Sequence, residues 1–529
     1  MTELAGTPAL ARLIIRRDRI RLTVWIVAIV SIVAFSAQSI LALYDDESEL
    51  ATYAETVGTN SAVIAISGPV HGLDTFGGRI AWEVWQFGVA IALMAVLTVV
   101  RHTRAEEEAG RTELVRAAMV GRHAHATAAL AVAVTANAVI GGATTLSLVA
   151  LDLPTRGSVT VGAAFAAVGV VFAAVGLLAA QITTHGRGAN GIATAVLGAT
   201  FVLRALGDTG NGVLSWLSPL GWIQATQPYA GDHSFPLALC VVAAVVVAAV
   251  AFRLERRRDV GAGLVADRPG PANATPRLGT PLGLAWRLHR ASFAAWACGM
   301  FVGGLAFGSV VGSAEDLVSD NEAILDYLAD IGGADLTDIF IATVLVYLAL
   351  LAAGYGISAA NRLPSEETAG RAELVLSTVV GRDRFAGSHL LVALAGSAAV
   401  LALSGLGMGI AHGLGTGAPG EIPRLAGAAL TYLPSVWLFV GAASTLFGVA
   451  PRFGIALWGY LAFCAVVSSF GEVLGLPQVV RDLSPVEHAG SVPATGPAGI
   501  ALAVVGLTAL GLVLGGRAAY ARRDVRSAT

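Results

Sequence analysis

The chain has 529 residues, 55% of them hydrophobic and only 13% charged, with a formal net charge of −3 and a mean hydropathy of +0.72. A soluble domain carries about a quarter charged residues, so this balance excludes a string of ordinary globular domains. All 33 basic residues are arginine; with no lysine to reach the β/γ-phosphates, the chain has no P-loop ATPase site of its own.

Apolar runs of about 20 residues, enough to cross a hydrocarbon core of ~30 Å, predict twelve transmembrane helices. The first, 22–43, follows Arg16, Arg17, Arg19 and Arg21 and lacks a small-residue cleavage site, so it reads as an uncleaved span. The stretch before it, about 8–21, reads as an amphipathic entry helix on the membrane surface or as a solvated basic tail. Spans at 80–100, 124–150, 159–182, 189–206 and 234–253 complete a first set of six. Residues 254–283 carry clustered arginines with Pro269, Pro271, Pro276 and Pro281, a density that forbids a continuous helix and marks a cytoplasmic linker. A second entry stretch, 283–291, precedes spans at 292–313, 338–360, 385–412, 425–449, 453–474 and 496–516. The runs are continuous rather than alternating, which argues against a barrel. Arginines cluster after the second, sixth, eighth and twelfth spans. The loop after the seventh holds Glu315, Asp316, Asp320, Glu322, Asp326, Asp330 and Asp335 with no arginine, which places both termini in the cytoplasm. Cys240, Cys298 and Cys464 lie within apolar runs without metal-ligand spacing, and neither a metal site nor a nucleic-acid surface is expected.

The two sets of spans repeat. Glu106-Glu107-Glu108-Ala109-Gly110-Arg111-Thr112-Glu113-Leu114-Val115 returns as Glu366-Glu367-Thr368-Ala369-Gly370-Arg371-Ala372-Glu373-Leu374-Val375, and Val120-Gly121-Arg122 as Val380-Gly381-Arg382. Leu217-Ser218-Pro219 is echoed more weakly by Leu483-Ser484-Pro485. The expected fold is therefore an all-α polytopic membrane protein of two tandem parallel six-helix repeats, with halves at 1–253 and 284–529 joined by the linker 254–283. Each conserved copy lies between the second and third spans of its half, and a short helix is expected over Thr112–Met119 and Ala372–Thr378. Its acids would stand at the C-terminal end of a span, where the helix dipole disfavours carboxylates, and so call for a partner. One reading is local: a capping box Thr103-x-x-Glu106 and pairing with Arg104, Arg111 and Arg371. The other is docking on a basic surface of another protein, and the repetition favours it.

An acidic run, a glycine, a short Glu-Leu helix and a small-residue–Arg pair between the second and third of six spans resemble the permeases of type 2 ABC exporters. The fused form resembles actinobacterial tetronasin-type permeases for polyketide antibiotics and drugs. Val120 and Val380 stand where that family often has proline. The resemblance implies that Glu106, Glu107, Gly110, Arg111, Glu113, Leu114 and Arg122, with Glu366, Glu367, Gly370, Arg371, Glu373, Leu374 and Arg382, form two coupling surfaces. It implies two copies of a separate P-loop ATPase subunit, which would hold ATP and Mg, and no catalysis in this chain. It also places the second and fifth spans of each half along a cavity, where Phe87, Met94, Phe201, Tyr347, Tyr460 and Phe463 would meet a hydrophobic or amphipathic compound; packed or lipid-facing roles are the alternative.

Ionisable residues within the spans are scarce. Arg79, Glu83, Arg204, Asp338 and Glu472 fall near span ends, and Arg79/Glu83 and Arg204/Asp208 have the spacing for local pairs. The scarcity disfavours an ion-coupled six-plus-six drug transporter, the alternative function, since proton coupling uses intramembrane relays. Catalytic signatures such as HExxH or GxSxG are absent from the sequence.

Overall fold

The computed structural model describes residues 3–44, 46–58, 64, 67–117, 120–265, 273–318, 336–470 and 476–523. The described residues are helical, with no strand among them. Two compact units form, Met1–Gly270 and Pro271–Thr529. Their division falls inside the stretch 254–283.

The first unit runs α1 (Thr7–Leu43), α2 (Glu47–Gly58), α3 (Phe76–Val84), α4 (Phe87–Arg101), α5 (Arg104–Glu108), α6 (Arg111–Arg116), α7 (Ala124–Val149), α8 (Thr155–Ile182), α9 (Gly186–Asp208), α10 (Pro219–Gln224) and α11 (Phe235–Glu255). The second runs α12 (Pro281–Val318), α13 (Leu336–Ala360), α14 (Arg362–Thr368), α15 (Arg371–Leu376), α16 (Arg382–Thr416), α17 (Glu421–Leu430), α18 (Leu433–Val449), α19 (Ala456–Phe470) and α20 (Gly499–Arg522). Eleven helical runs among the described residues are long and apolar enough to cross a membrane. The eleventh expected span, 453–474, is represented by α19 alone. Its 15 residues reach about 22 Å, short of a ~30 Å core, and 471–475, with Glu472, lie outside the described residues, as do most of the acids expected after the seventh span.

The entry stretches are corrected. Residues 8–21 and 283–291 are neither separate surface helices nor tails: each is the first part of the long helix α1 or α12. In α1 the buried residues Leu10, Ile14, Asp18, Leu22, Ile29, Val33, Ala37 and Ile40 form one stripe at three-, four- and seven-residue steps from end to end, so nothing in the pattern breaks the helix where the hydropathy rises. Burial of Asp18, overlooked in the sequence, is offset by His102 Nε2 at 2.8 Å and Arg101 Nε at 3.2 Å.

In the first unit α8 packs against α4, α7, α9 and α11; in the second, α16 packs on α12, α13 and α17, and α18 on α20. Pro434 near the start of α18 separates it from α17. Glycines let helix backbones meet. A Cβ added to Gly304 would stand 2.0 Å from the Ser404 carbonyl oxygen, and one added to Gly308 would stand 2.3 Å from that of Met408. Gly304 and Gly308 are one turn apart on α12, a small-xxx-small contact of the kind that replaces hydrophobic driving force within lipid. Gly304→Val is therefore expected to lower the thermal unfolding temperature of the solubilised protein by several degrees. Gly299→Ala, on the same helix with nothing within 4 Å of its Cβ, should leave it unchanged.

Candidate functional site

Each repeated loop begins where its second span ends. After α4 the chain turns through His102 and Thr103, makes the single turn α5, and reverses at Gly110; α14 and Gly370 follow the same course. Gly110 (φ 70°) and Gly370 (φ 69°) are left-handed N-caps of α6 and α15, a conformation that costs a residue with a Cβ about 1–2 kcal/mol. The short helices run Arg111–Arg116 and Arg371–Leu376, one residue earlier than expected at their starts; Met119 lies outside the described residues. The capping box does not form. Thr103 makes no side-chain cap, and its Oγ1 donates to the Val99 carbonyl at 2.7 Å instead.

The acids are held inside the chain. Glu106 and Glu366 are 5% and 3% exposed, so each needs a charge partner. Arg111 Nε donates to Glu106 Oε2 at 2.6 Å and its Nη2 to Oε1 at 3.0 Å. Arg371 holds Glu366 with the same two distances, 2.6 and 3.0 Å. This fork pairing of guanidinium and carboxylate is the strong bidentate kind. Arg17 of α1 adds a third bond to Glu106 at 3.0 Å, and Arg362 Nε lies 2.9 Å from Glu366 Oε1. Burial raises the Glu106 carboxyl, but the bonds from Arg111 and Arg17 outweigh it and hold it at about 2. Glu366 is lowered in the same way, burial being outweighed by Arg371 and Arg362. Both remain ionised near neutral pH.

The second acid of each loop reaches the end of the last span in its own unit. Arg258, just beyond α11, donates from Nη1 and Nη2 to Glu107 at 2.8 Å each. Arg523, just beyond α20, donates from Nη2 to both oxygens of Glu367, at 2.7 and 2.5 Å. The repeated Arg122 and Arg382 bind the same places through the backbone: Arg122 Nη2 donates to the carbonyls of Glu255 at 3.1 Å and Arg256 at 2.9 Å, and Arg382 Nη1 to that of Arg523 at 2.6 Å. Arg104, fully buried, donates to the Ala180 carbonyl at the end of α8 and to Glu107 at 2.9 Å. Glu108 accepts the Gly186 N–H that opens α9, at 2.9 Å. The partner sought for these acids on another protein is thus supplied by the chain's own arginines.

What remains outward is small. Thr112 and Ala372 are buried (2% and 0% exposed), whereas Leu114 and Leu374 are 77% and 73% exposed; Glu113 and Glu373 are exposed beside them. The fourteen expected residues therefore divide into buried or bonded anchors and an outward Glu-Leu pair on each short helix. Arg258, Arg523 and Arg17 belong with the anchors and were missed; their only sequence signal was a basic cluster already explained by orientation.

The expected pathway residues are placed unit by unit: Phe87, Met94 and Phe201 in the first, Tyr347, Tyr460 and Phe463 in the second. Met94 is fully buried in the first unit's core, so it faces no open cavity. Phe87 packs on that core, and Phe201 stacks on Trp85 with centroids 6.4 Å apart. Tyr460 stacks on Phe463 and donates to the Leu483 carbonyl at 2.7 Å, while Tyr347 is 37% exposed. Both expected local pairs form: Arg79–Glu83 at 2.8 Å and Arg204–Asp208 at 3.2 Å. Asp338 pairs with Arg424 at 2.5 Å.

Removing an arginine should cost in proportion to the burial it leaves uncompensated. Arg258 and Glu107 side chains are 6% and 7% exposed, so Arg258→Ala is expected to destabilise the first unit by about 3–5 kcal/mol. Arg111 is itself 52% exposed and its loss leaves Glu106 the bond from Arg17 at 3.0 Å, so Arg111→Ala should cost less, about 1–3 kcal/mol. Chemical or thermal unfolding of the solubilised variants checks the order.

The chain matches the family described as multidrug efflux system permease Rv1217c, C-terminal domain, over residues 9–254 and again over 278–521. It is 40% identical over 527 residues, 98% of this chain and 95% of the relative, to the multidrug efflux system permease protein Rv1217c of Mycobacterium tuberculosis strain H37Rv. With two matched copies and eleven apolar helices long enough to span, this chain is a multi-pass protein of the cell membrane and belongs to the Rv1217c family of multidrug efflux permeases.

Proposed function

We propose that the chain is the non-catalytic, membrane-spanning subunit of an ATP-driven ABC exporter that moves hydrophobic or amphipathic compounds out of the cell by alternating access. ATP and Mg would be bound by two copies of a separate P-loop ATPase subunit, one engaging each repeated loop. The observation that carries this reading is the pair of loops. In both, an outward Glu-Leu helix is fixed to a bidentate anchor with the same geometry, 2.6 and 3.0 Å. Membership of an efflux-permease family supports it, and the relative is named as the permease protein of a multidrug efflux system. A lever must be stiff where it joins the spans and accessible where it is pushed; buried ion pairs supply the first property and Glu113, Leu114, Glu373 and Leu374 the second.

Leu114→Arg combined with Leu374→Arg should reduce drug-stimulated ATP hydrolysis by the co-reconstituted ATPase at least tenfold, about 1.4 kcal/mol of lost coupling. Insertion and thermal stability should be unchanged, because both side chains are exposed. Glu113→Ala with Glu373→Ala should act in the same direction. Normal coupling in both double variants, or efflux that stops on adding a protonophore at constant ATP, would overturn the proposal.

A further inference from the structure

At the end of the first unit remote from the Glu106 loop, α3, α8 and α10 leave a narrow cleft. Trp82, Trp85, Ala164, Phe165 and Gln224 are among its walls. Its cavity volume is small, about 40 Å³. Such a slot takes something thin and flat. It adjoins a roomier recess of about 290 Å³, which shares His71, Gln224 and Gln227 and adds Asp208 and Ser215.

The apolar walls hold polar atoms with nothing to bond. Gln224 has both its side-chain Nε2 and Oε1 buried without a partner, and so has Trp85 its indole Nε1, in a residue 6% exposed. Orphaned buried polar atoms are uncommon, and a complete amide left so is rarer. Gly68, whose φ is +94°, packs directly against the amide: a Cβ there would stand 2.0 Å from Gln224 Nε2. By contrast, Asp208 in the recess is already occupied by Arg204 at 3.2 Å and Ser215 at 2.5 Å.

The second copy has other residues in these places. At the loop offset (Glu106 to Glu366), Trp82 and Trp85 correspond to Ala342 and Leu345. At the Leu-Ser-Pro offset (Leu217 to Leu483), Gln224 corresponds to Gly490. There the Tyr432 hydroxyl donates to the Gly490 carbonyl at 3.2 Å. The duplication kept a common scaffold, but among the described residues the first unit carries an aromatic slot with an unsatisfied amide whose counterparts in the second are Ala342, Leu345 and Gly490.

We propose that this cleft is a ligand site for a small planar molecule bearing a carboxamide or a similar paired donor and acceptor. The ring lies among Trp82, Trp85 and Phe165, the ligand's donor and acceptor pair with the Gln224 amide, and the Trp85 N–H gives a second donor. Any polar remainder extends into the recess beside His71 and Gln227. Binding is a property of this chain alone and rests on no coupling to an ATPase.

The test uses the full chain in lipid nanodiscs without any partner, titrated with tritiated 1-naphthamide and, separately, with naphthalene. One equivalent of naphthamide per chain is expected, and naphthalene should bind more weakly. Gln224→Leu and Trp85→Phe should each weaken naphthamide at least tenfold, and Gln224→Leu should leave naphthalene unaffected. Ala164→Phe, which fills the slot, should abolish both. Thermal unfolding without ligand separates a binding role from a structural one: Gln224→Leu removes an orphaned amide and should hold or raise the unfolding temperature. The proposal is overturned if 1-naphthamide does not bind and water alone fills the cleft, or if two equivalents bind. It is also overturned if Gln224→Leu and Trp85→Phe leave affinity intact, or if Gln224→Leu lowers the unfolding temperature without changing affinity.

Discussion

A carboxylate removed from water must find a counter-charge and enough donors, or it cannot stay ionised. In this chain that constraint falls on four glutamates, Glu106, Glu107, Glu366 and Glu367, at the ends of two spans. Everything around the loops follows from meeting it. Arg111 and Arg371 fold the short helices back onto the first acid of each pair, and Arg258 and Arg523 bring the end of the last span to the second. An arginine fork suits this task better than an ammonium because it fixes direction as well as charge, which gives the absence of lysine a structural sense in these loops. The result joins the second, third and last spans of each unit at one end.

The membrane-spanning helices were legible because hydropathy is a local property; the helices lie close to the apolar runs. The repeated loop was legible as a motif, and so were the pairings that need only a few residues of spacing, such as Arg79 with Glu83 and Glu106 with Arg111. The partner of Glu107 was not. Arg258 stands 151 residues away and Arg523 stands 156 from Glu367, so no spacing rule connects them, and both already had an explanation in the positive-inside bias. The entry stretches misled for a different reason. Charge suggested a helix on the surface, while the buried stripe from Leu10 to Ile40 shows that packing continues through the change in hydropathy. Met94 and Gln224 mark a limit: a soft side chain within an apolar span and a glutamine at the end of a short helix have no sequence feature that separates a packed residue from one lining a cleft.

The anchors and the exposed pair also divide the loop by tolerance to change. Glu106 with Arg111 and Arg17, and Glu107 with Arg258 and Arg104, form bonded sets in which altering one residue weakens the hold on a buried charge. Glu113 and Leu114 have no such bond to satisfy and are free to follow whatever surface they meet. The same separation occurs in the second unit, where Thr368 replaces the third acid while Glu366, Glu367 and Arg371 persist.

The contrast between Gln224 and Gly490 bears on why two units share one chain. In an assembly of two identical subunits every substitution is written twice, so a slot lined by Trp82 and Trp85 would necessarily appear in both. Fusion removes that bond. In the second unit the Tyr432 hydroxyl bonds the Gly490 carbonyl while the first carries Trp82, Trp85 and Gln224, so a single gene can carry different chemistry on its two sides while the loops on both remain matched.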